Sequence, residues 1–194
     1  MSTSTNAAQA SADLSNAGMQ SFVTLEELRT ALQTAGYRAE LVTDGNISLL
    51  RSASNGLGFD VRPGNSFPGK PDHFADVAFV AVLTVQGSMP LDLVNKWNRM
   101  HRFCRLFVDK PQGTDEFLVL TLDLSIAGAV SPNYVRTQLQ IWDSLIQQLI
   151  PWLREELGRL AASLETAKEI TKETAKQATK PDANLAPPRP ALNS

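Results

Sequence analysis

The sequence predicts an α+β fold: an antiparallel sheet of about five to six strands, helices packed on one face, and a long C-terminal helix. Short apolar segments with a period of two follow one another through polar turns, which is typical of antiparallel strands. Three segments have helical spacing instead, and the last of them forms one apolar stripe. The 194 residues are 43% hydrophobic and 20% charged, so the chain can bury one core.

The first helix is predicted to begin at Thr24. Thr24 and Glu27 have the spacing of a capping box, in which each side chain bonds the backbone of the other residue. Leu28 and Leu32 then fall on one helical face, and Gly36 is a suitable residue to end the helix.

Strands are predicted after this helix because the apolar period changes to two. Tight turns are expected at Asp44-Gly45 and Asn55-Gly56, which separate three strands. Residues 63–73 hold three prolines and two glycines and are predicted as a polar loop. Residues 76–85 are apolar and rich in β-branched side chains, which indicates a central strand.

The second half of the domain is predicted as helix, two strands and a long helix. Ser88 and Pro90 mark the start of a helix that runs to about residue 100. Strands follow over about 102–109 and 117–124, and Ser131-Pro132 opens the last helix. Its apolar stripe consists of Val135, Leu139, Trp142, Ile146, Leu149 and Leu153. The spacing continues beyond Pro151, which is expected to kink the helix.

Three parts of the chain are distinguished by composition. Residues 1–21 have almost no large apolar side chain and are predicted as a disordered tail. Residues 22–157 form the α+β domain. Residues 158–194 begin with a four-residue cycle of Thr, Ala, Lys and Glu, which predicts a solvated helical extension, and end in a Pro-rich disordered tail.

Net charge and cysteine content limit the classes of binding partner and the cellular compartment that the sequence favours. The formal net charge of -2 gives no long-range attraction to nucleic acid or to an anionic membrane. Cys104 is the single cysteine, and the sequence has neither a signal-like N-terminus nor an apolar run of spanning length. We therefore expect a soluble cytoplasmic protein that contacts no membrane and for which nucleic acid is not the default partner.

Motifs of catalysis and cofactor binding are absent from the sequence. His101 and Cys104 supply two potential zinc ligands, whereas a zinc site needs three or four. There is no P-loop, dinucleotide-binding glycine motif or nucleophile elbow. Cys104 alternates with apolar residues and is expected to point into the core. We expect no cofactor, no metal and no enzymatic activity.

One stretch resembles a known family. Residues 94–107 (VNKWNRMHRFCRLF), together with the following hairpin, apolar strand, glycine and long helix, resemble the YbjN family of small bacterial proteins. The resemblance covers roughly residues 24–157. The matching residues are Trp97, Asn98, Arg102, Phe103, Arg105, Asp123, Gly128 and Val130. Those interpreted as mostly structural are Trp97, Asn98, Phe103, Asp123 and Gly128.

The resemblance implies a fold and a class of function. The family is similar in fold to type III secretion chaperones, which are small dimeric proteins that hold an extended partner segment. Its members are described as sensory transduction regulators without an established enzymatic activity. This implies a non-catalytic protein-binding module, chaperone-like or a regulatory adaptor, that is homodimeric and has an unidentified protein partner.

Two groups of residues are candidates for partner binding. The basic cluster consists of Lys96, Arg99, Arg102 and Arg105. The apolar group consists of Leu153, Leu157, Leu160 and Leu164 at the end of the long stripe. The alternative is an enzyme, or an anion- or nucleic-acid-binding protein, that uses the basic cluster around Arg99, Arg102 and Arg105. An enzyme would need His101, Arg105 and carboxylates in one concave site.

Overall fold

The computed structural model describes residues 18–178, with side chains described up to residue 174. The disordered tails predicted over residues 1–21 and at the Pro-rich C-terminus lie mainly outside these residues. Gln20 is described, and its backbone N–H and C=O both bond Val130, at 2.9 and 2.8 Å. None of the helices in the described range has a stretch long and apolar enough to span a membrane.

The described residues form three helices and eight strands. In chain order these are α1 (Leu25–Thr34), β1 (Glu40–Asp44), β2 (Ile47–Ser54), β3 (Leu57–Pro63), β4 (Ser66–Phe67), β5 (Lys70–Phe74), β6 (Asp76–Thr84), α2 (Leu91–Met100), β7 (Arg105–Asp109), β8 (Phe117–Ser125) and α3 (Tyr134–Ala178). Six strands pair antiparallel in the order β1-β2-β3-β6-β8-β7. This confirms the predicted α+β class, the six-stranded antiparallel sheet and the long C-terminal helix.

Helix α1 begins with the predicted capping box. The Glu27 amide donates to the Thr24 hydroxyl at 3.2 Å, and the Thr24 amide donates to the Glu27 carboxylate at 2.8 Å. Leu28 and Leu32 are buried. The helix is followed by Gly36, which has a φ of 90°. Glycine adopts this left-handed conformation without strain.

Two-residue turns set the register of the first three strands. Asn55 and Gly56 join β2 to β3 with φ of 49° and 78°, as a type I′ hairpin turn requires. The turn predicted at Asp44-Gly45 is centred on Gly45 and Asn46, because Asp44 is still part of β1.

The segment predicted as a polar loop over residues 63–73 contains a separate two-stranded hairpin, β4 and β5. The Phe22 ring packs against Phe67 and His73 of this hairpin, with centroids 5.5 and 4.5 Å apart. The prediction was wrong because these strands are short and lie among prolines and glycines, which hide a period of two.

The core lies between one face of the sheet and the helices. Trp142 of α3 stacks on Phe79 with centroids 5.7 Å apart and meets Phe59 edge-on at 5.6 Å. The sheet residues buried on this face include Val61, Val77, Phe79, Ala81, Leu118, Leu120, Leu122 and Leu124. A buried aromatic and aliphatic layer of this kind supplies most of the free energy of folding.

The opposite side of the sheet, the open face, consists of directly paired residues on β2, β3, β6, β8 and β7: Arg51, Asp60, Arg62, Val80, Val82, Val119, Thr121, Asp123, Arg105 and Phe107. Val82 is 45% exposed and Phe107 is 40% exposed. The open face therefore keeps apolar side chains at the surface.

Helix α3 contains the predicted apolar stripe. All six predicted stripe residues up to Leu153 are buried, and Leu145 is buried as well. The helix begins at Tyr134 because Ser131 and Pro132 belong to a preceding turn, in which the Tyr134 amide donates to the Ser131 carbonyl. Helical geometry continues through Pro151, where the chain divides by its internal contacts into the units Met1–Ile150 and Pro151–Ser194.

Candidate partner-binding surfaces

The two edge strands of the sheet, β1 and β7, differ in how their backbone groups are satisfied. At β7, the Asn98 side-chain amide of α2 donates to the Leu106 carbonyl at 2.8 Å. The Leu106 amide donates back to the Asn98 Oδ1 at 2.8 Å. The carboxamide thus takes the place that the backbone of a further strand would occupy, and caps this edge at Leu106.

The edge of β1 is open in the described part of the chain. Asp44 closes a two-residue turn and so belongs to a hydrogen-bonded pair with β2. Because such pairs alternate along an antiparallel ladder, Leu41 and Thr43 turn their backbone N–H and C=O groups outward. No described side chain caps these groups, and the Leu41 side chain is 59% exposed.

A cavity of about 620 Å³ lies beside the open edge of β1. Its apolar lining comes from α1, the β1–β2 hairpin and β5, and includes Leu25, Leu41, Ile47, Leu50 and Phe74. Glu26, Arg29 and Asp72 supply charged groups to the same cavity. A segment added to β1 in extended conformation would place alternate side chains over this cavity.

The structure divides the basic cluster between two places. Arg105 lies on the open face, where its guanidinium pairs with the Asp123 carboxylate. Arg99 lies in the last turn of α2 and Arg102 in the connection to β7, and both are exposed. No described carboxylate pairs with either of them, whereas Lys96 is half-buried.

The connection from α2 to β7 exposes an aromatic ring in a strained backbone conformation. Phe103 has φ of 71° and is 69% exposed, and the Arg102 guanidinium lies over its ring at 5.6 Å from the centroid. Strand β7 begins at Arg105 and not at Arg102, because a left-handed residue cannot continue an extended strand. We call Arg99, Met100, Arg102 and Phe103, all of them exposed, the Phe103 patch.

Buried neighbours hold this connection from both sides. Trp97 is fully buried, and the His101 ring stacks on it with centroids 3.5 Å apart and Nδ1 3.2 Å from the Trp97 carbonyl oxygen. Cys104 is buried as predicted, and burial raises the pKa of its thiol. A thiol in this state is protonated at neutral pH and is a poor nucleophile.

The side chains required by the enzyme alternative are not gathered in one cavity. The shallow cavity of about 480 Å³ that Arg105 lines also contains Asp109, but His101 is not part of it. Within the described range, no three His, Cys, Asp or Glu side chains form a group that could hold a metal ion.

Two further residues of the family motif have local roles. Asp123 pairs with Arg105 and accepts from the Thr121 hydroxyl at 3.3 Å on the open face. Gly128 has φ of 90° in the turn that leads from β8 to the Val130 bridge. At this φ a side chain would be strained, which explains a glycine.

The apolar group of the long helix differs in exposure along its length. Leu153 is buried and Leu160 is half-buried, whereas Leu157 and Leu164 are exposed. In the unit that begins at Pro151, Arg159 pairs with Glu155 at 2.5 Å and with Glu156 at 2.9 Å. Every described side chain from residue 161 to residue 174 is exposed.

Two acidic residues outside the candidate partner-binding groups organise the domain. The Glu116 carboxylate accepts from the Met89 amide at 2.9 Å and also from Ser88 and Lys110. The hydrogen bond from the Met89 amide, with smaller contributions from Lys110 and Ser88, holds the pKa of Glu116 below its ordinary value. Asp143 of α3 accepts from the Ser54 hydroxyl of β2. Burial, together with the hydrogen bond to Asp143, raises the pKa of Tyr37 to about 12.

Comparison with known families agrees with the motif. A family model described as "Putative bacterial sensory transduction regulator" matches residues 24–155, which is more than half of the chain. The chain belongs to the YbjN family. No curated protein sequence matches it significantly.

A solved structure supports the YbjN fold. The structure described as "Crystal structure of YbjN, a putative transcription regulator from E. coli" superposes with a TM-score of 0.52 at 18% sequence identity. The match covers 66% of this chain and 89% of that chain. At this identity the similarity establishes the fold alone.

The YbjN motif falls mainly on one part of the fold, α2 and β7 with the connection between them. Trp97 anchors the helix, Asn98 closes the strand edge, and Phe103 exposes its ring. The spacing of the motif gave the helix and the strand, but no signal in the sequence distinguished the exposed Phe103 from the buried Trp97. Both are aromatic residues beside basic ones.

Proposed function

We propose that this YbjN-family chain is a non-catalytic, regulatory protein-binding module of the bacterial cytoplasm that holds an extended partner segment along the edge of β1. The observation that supports the proposal is the difference between the two sheet edges. Asn98 caps the outward backbone of Leu106 on β7, whereas Leu41 and Thr43 on β1 are uncapped and lie beside an apolar cavity.

Strand addition uses the two kinds of group that this edge offers. The outward N–H and C=O groups of Leu41 and Thr43 would bond the partner backbone whatever its sequence. The cavity lined by Leu41, Leu50 and Phe74 would accept apolar side chains at alternate positions of the partner. A chaperone-like mode of binding follows, because the partner is held in an unfolded, extended form.

A proline at position 43 tests this proposal. In Thr43→Pro the edge loses an outward N–H and gains a ring that obstructs a neighbouring strand, while the bonds between β1 and β2 are kept. With a photo-cross-linking residue in place of Leu41, we expect the full chain in its native cells to cross-link to one short segment of one partner. We expect Thr43→Pro to abolish that product.

The matched control is Thr43→Val, which keeps the backbone N–H and should keep the cross-link. Circular dichroism establishes that both variants retain the fold. Cross-linking from position 41 that is unchanged in Thr43→Pro would contradict strand addition at β1.

We also propose that the chain is a homodimer that pairs through the open face. Asp60 lies between Arg51 and Arg62 at 3.0 and 3.2 Å, and Arg105 pairs with Asp123 on the other side. The exposed or half-buried apolar residues between these ionic groups are Val80, Val82 and Phe107. In a dimer with a two-fold axis, the apolar residues at the centre of one open face would pack on the same residues of the second copy. The acidic and basic side chains at the rim of each copy would then face those of the other.

The exposed members of the apolar group, Leu157 and Leu164, are proposed as additional contacts to the partner. Leu160 is half-buried and adjoins them, whereas Leu153 is buried and is not available for contact. Leucines at helical spacing suit an apolar segment of a partner, as in other helix-groove complexes.

A further inference from the structure

We infer that the Phe103 patch is a second binding surface, separate from the edge of β1, and that its partner is an acidic polypeptide with apolar side chains. The patch lies between α2 and β7, at the opposite end of the strand order from β1. The inference does not depend on strand addition at β1.

The positive φ of Phe103 lowers the stability of the fold, and little burial of the ring compensates for it. A residue with a Cβ loses free energy in the left-handed region, and a bulky aromatic residue is a rare exception there. Because Phe103 is 69% exposed, burial of its ring offsets little of this cost. Eight of the described glycines have positive φ, so glycine is the usual solution at such positions in this chain. A strained, exposed aromatic residue indicates a functional contact.

The charges around the ring indicate the chemistry of the partner. Between Asp92 and Asp109 the sequence has four basic residues and no acidic one. Arg105 is paired with Asp123, but no described carboxylate pairs with Arg99 or Arg102. Two exposed guanidinium groups beside an exposed ring suit a partner that brings carboxylates together with apolar side chains. Phosphate binding is less favoured, because the chain has a net charge of -2 and the patch offers only these two unpaired cations.

The connection that presents the ring is held in place before any partner arrives. The His101 ring stacks on the buried Trp97 before Phe103, and Cys104 is buried after it. Because its neighbours hold the backbone of this connection, Phe103 loses little backbone conformational entropy on binding, which suits an anchor residue at an interface.

Binding to short synthetic peptides tests the inference. The first probe is a labelled peptide of Glu, Asp, Leu and Phe. The second replaces its acidic residues by Gln and Asn. The third keeps the acidic residues and replaces Leu and Phe by Ser. We expect the full chain to bind only the first, more weakly as salt is raised. Phe103→Gly should weaken this binding about 30-fold or more, as the loss of a hot-spot residue does. Replacement of both Arg99 and Arg102 by Glu should abolish it.

Stability measurements separate a binding role of Phe103 from a structural one. Since glycine adopts positive φ freely, we expect the melting temperature of Phe103→Gly to equal that of the wild type or to exceed it by up to about 4 °C. Ala129→Gly is the matched control, because Ala129 has φ of 74°. It should show a similar change in melting temperature and unchanged peptide binding.

Three outcomes would overturn the inference: failure of the acidic apolar peptide to bind, equal binding by Phe103→Gly, or a melting temperature of Phe103→Gly clearly below that of the wild type. Tighter binding of single-stranded DNA than of the peptide, lost in the same variants, would replace it by a nucleic-acid surface. Thr43→Pro should leave peptide binding unchanged, so that a failure here and a failure at β1 are distinguishable.

Discussion

At the scale of single residues, Asn98 shows how one side chain can protect the edge of a sheet. Its carboxamide presents one N–H donor and one C=O acceptor side by side, as a residue of a neighbouring strand does, and it bonds both the C=O and the N–H of Leu106 at 2.8 Å. A protein with an exposed strand edge otherwise risks pairing with other chains. The sequence placed Asn98 at the end of a helix, but its partner is eight residues away on a strand, which only the fold brings near.

Removal of this carboxamide should cost stability. In Asn98→Ala both backbone groups of Leu106 lose their partner, and we expect the free energy of unfolding to fall by about 1–3 kcal/mol. Asn98→Asp keeps the acceptor but places a carboxylate beside the Leu106 carbonyl, so it should be destabilised as well. Urea unfolding measures both variants.

Asn95→Ala is the control for this experiment, because Asn95 is exposed on the same helix. It should be neutral or slightly stabilising, since alanine is the better helix former. If Asn98→Ala and Asn95→Ala differ by less than about 0.5 kcal/mol, the capping of β7 contributes nothing measurable.

At the scale of secondary-structure elements, local signals located the helices and the long strands. The Thr24 capping box, the Asn55-Gly56 turn and the stripe of the last helix each depend on neighbours in sequence, and each was confirmed. The hairpin β4–β5 was missed, because its strands are short and lie among prolines and glycines, and the packing of Phe22 on Phe67 and His73 is visible only in the fold.

The end of α3 allows a prediction at this scale. A chain that ends at Leu160 should unfold at the same urea concentration as the full chain, since every described side chain from residue 161 to residue 174 is exposed. Cross-linking to the partner should become weaker, because Leu164 is lost as a proposed contact. A truncated chain with an unchanged cross-link would remove the extension from the proposed interface.

At the scale of the whole molecule, the open face decides whether two copies associate. We expect Val82→Glu to convert the proposed homodimer to a monomer, because a carboxylate would be placed at the centre of an apolar contact. The variant should fold, since Val82 is 45% exposed in the single chain. Sedimentation equilibrium measures the change.

Leu91→Glu is the matched control for the open face, because Leu91 is an exposed leucine on α2. It should remain a dimer. A wild-type chain that is monomeric at high concentration, or a Val82→Glu variant that stays dimeric, would exclude the open face as the dimer interface.

By itself the sequence determined the α+β class, the order and approximate bounds of the main elements, the burial of Cys104 and the family. The class, the elements and the burial of Cys104 depend on periodicity, capping and turn chemistry, which are local in sequence, whereas the family depends on the resemblance carried by residues 94–107 and the elements after them. Only the tertiary structure decided that Asn98 closes β7, that β1 stays open beside a cavity, and that Phe103 is exposed while Trp97 is buried. The physical reason is that exposure and edge pairing depend on residues distant in sequence, which only the packed sheet and helices bring together.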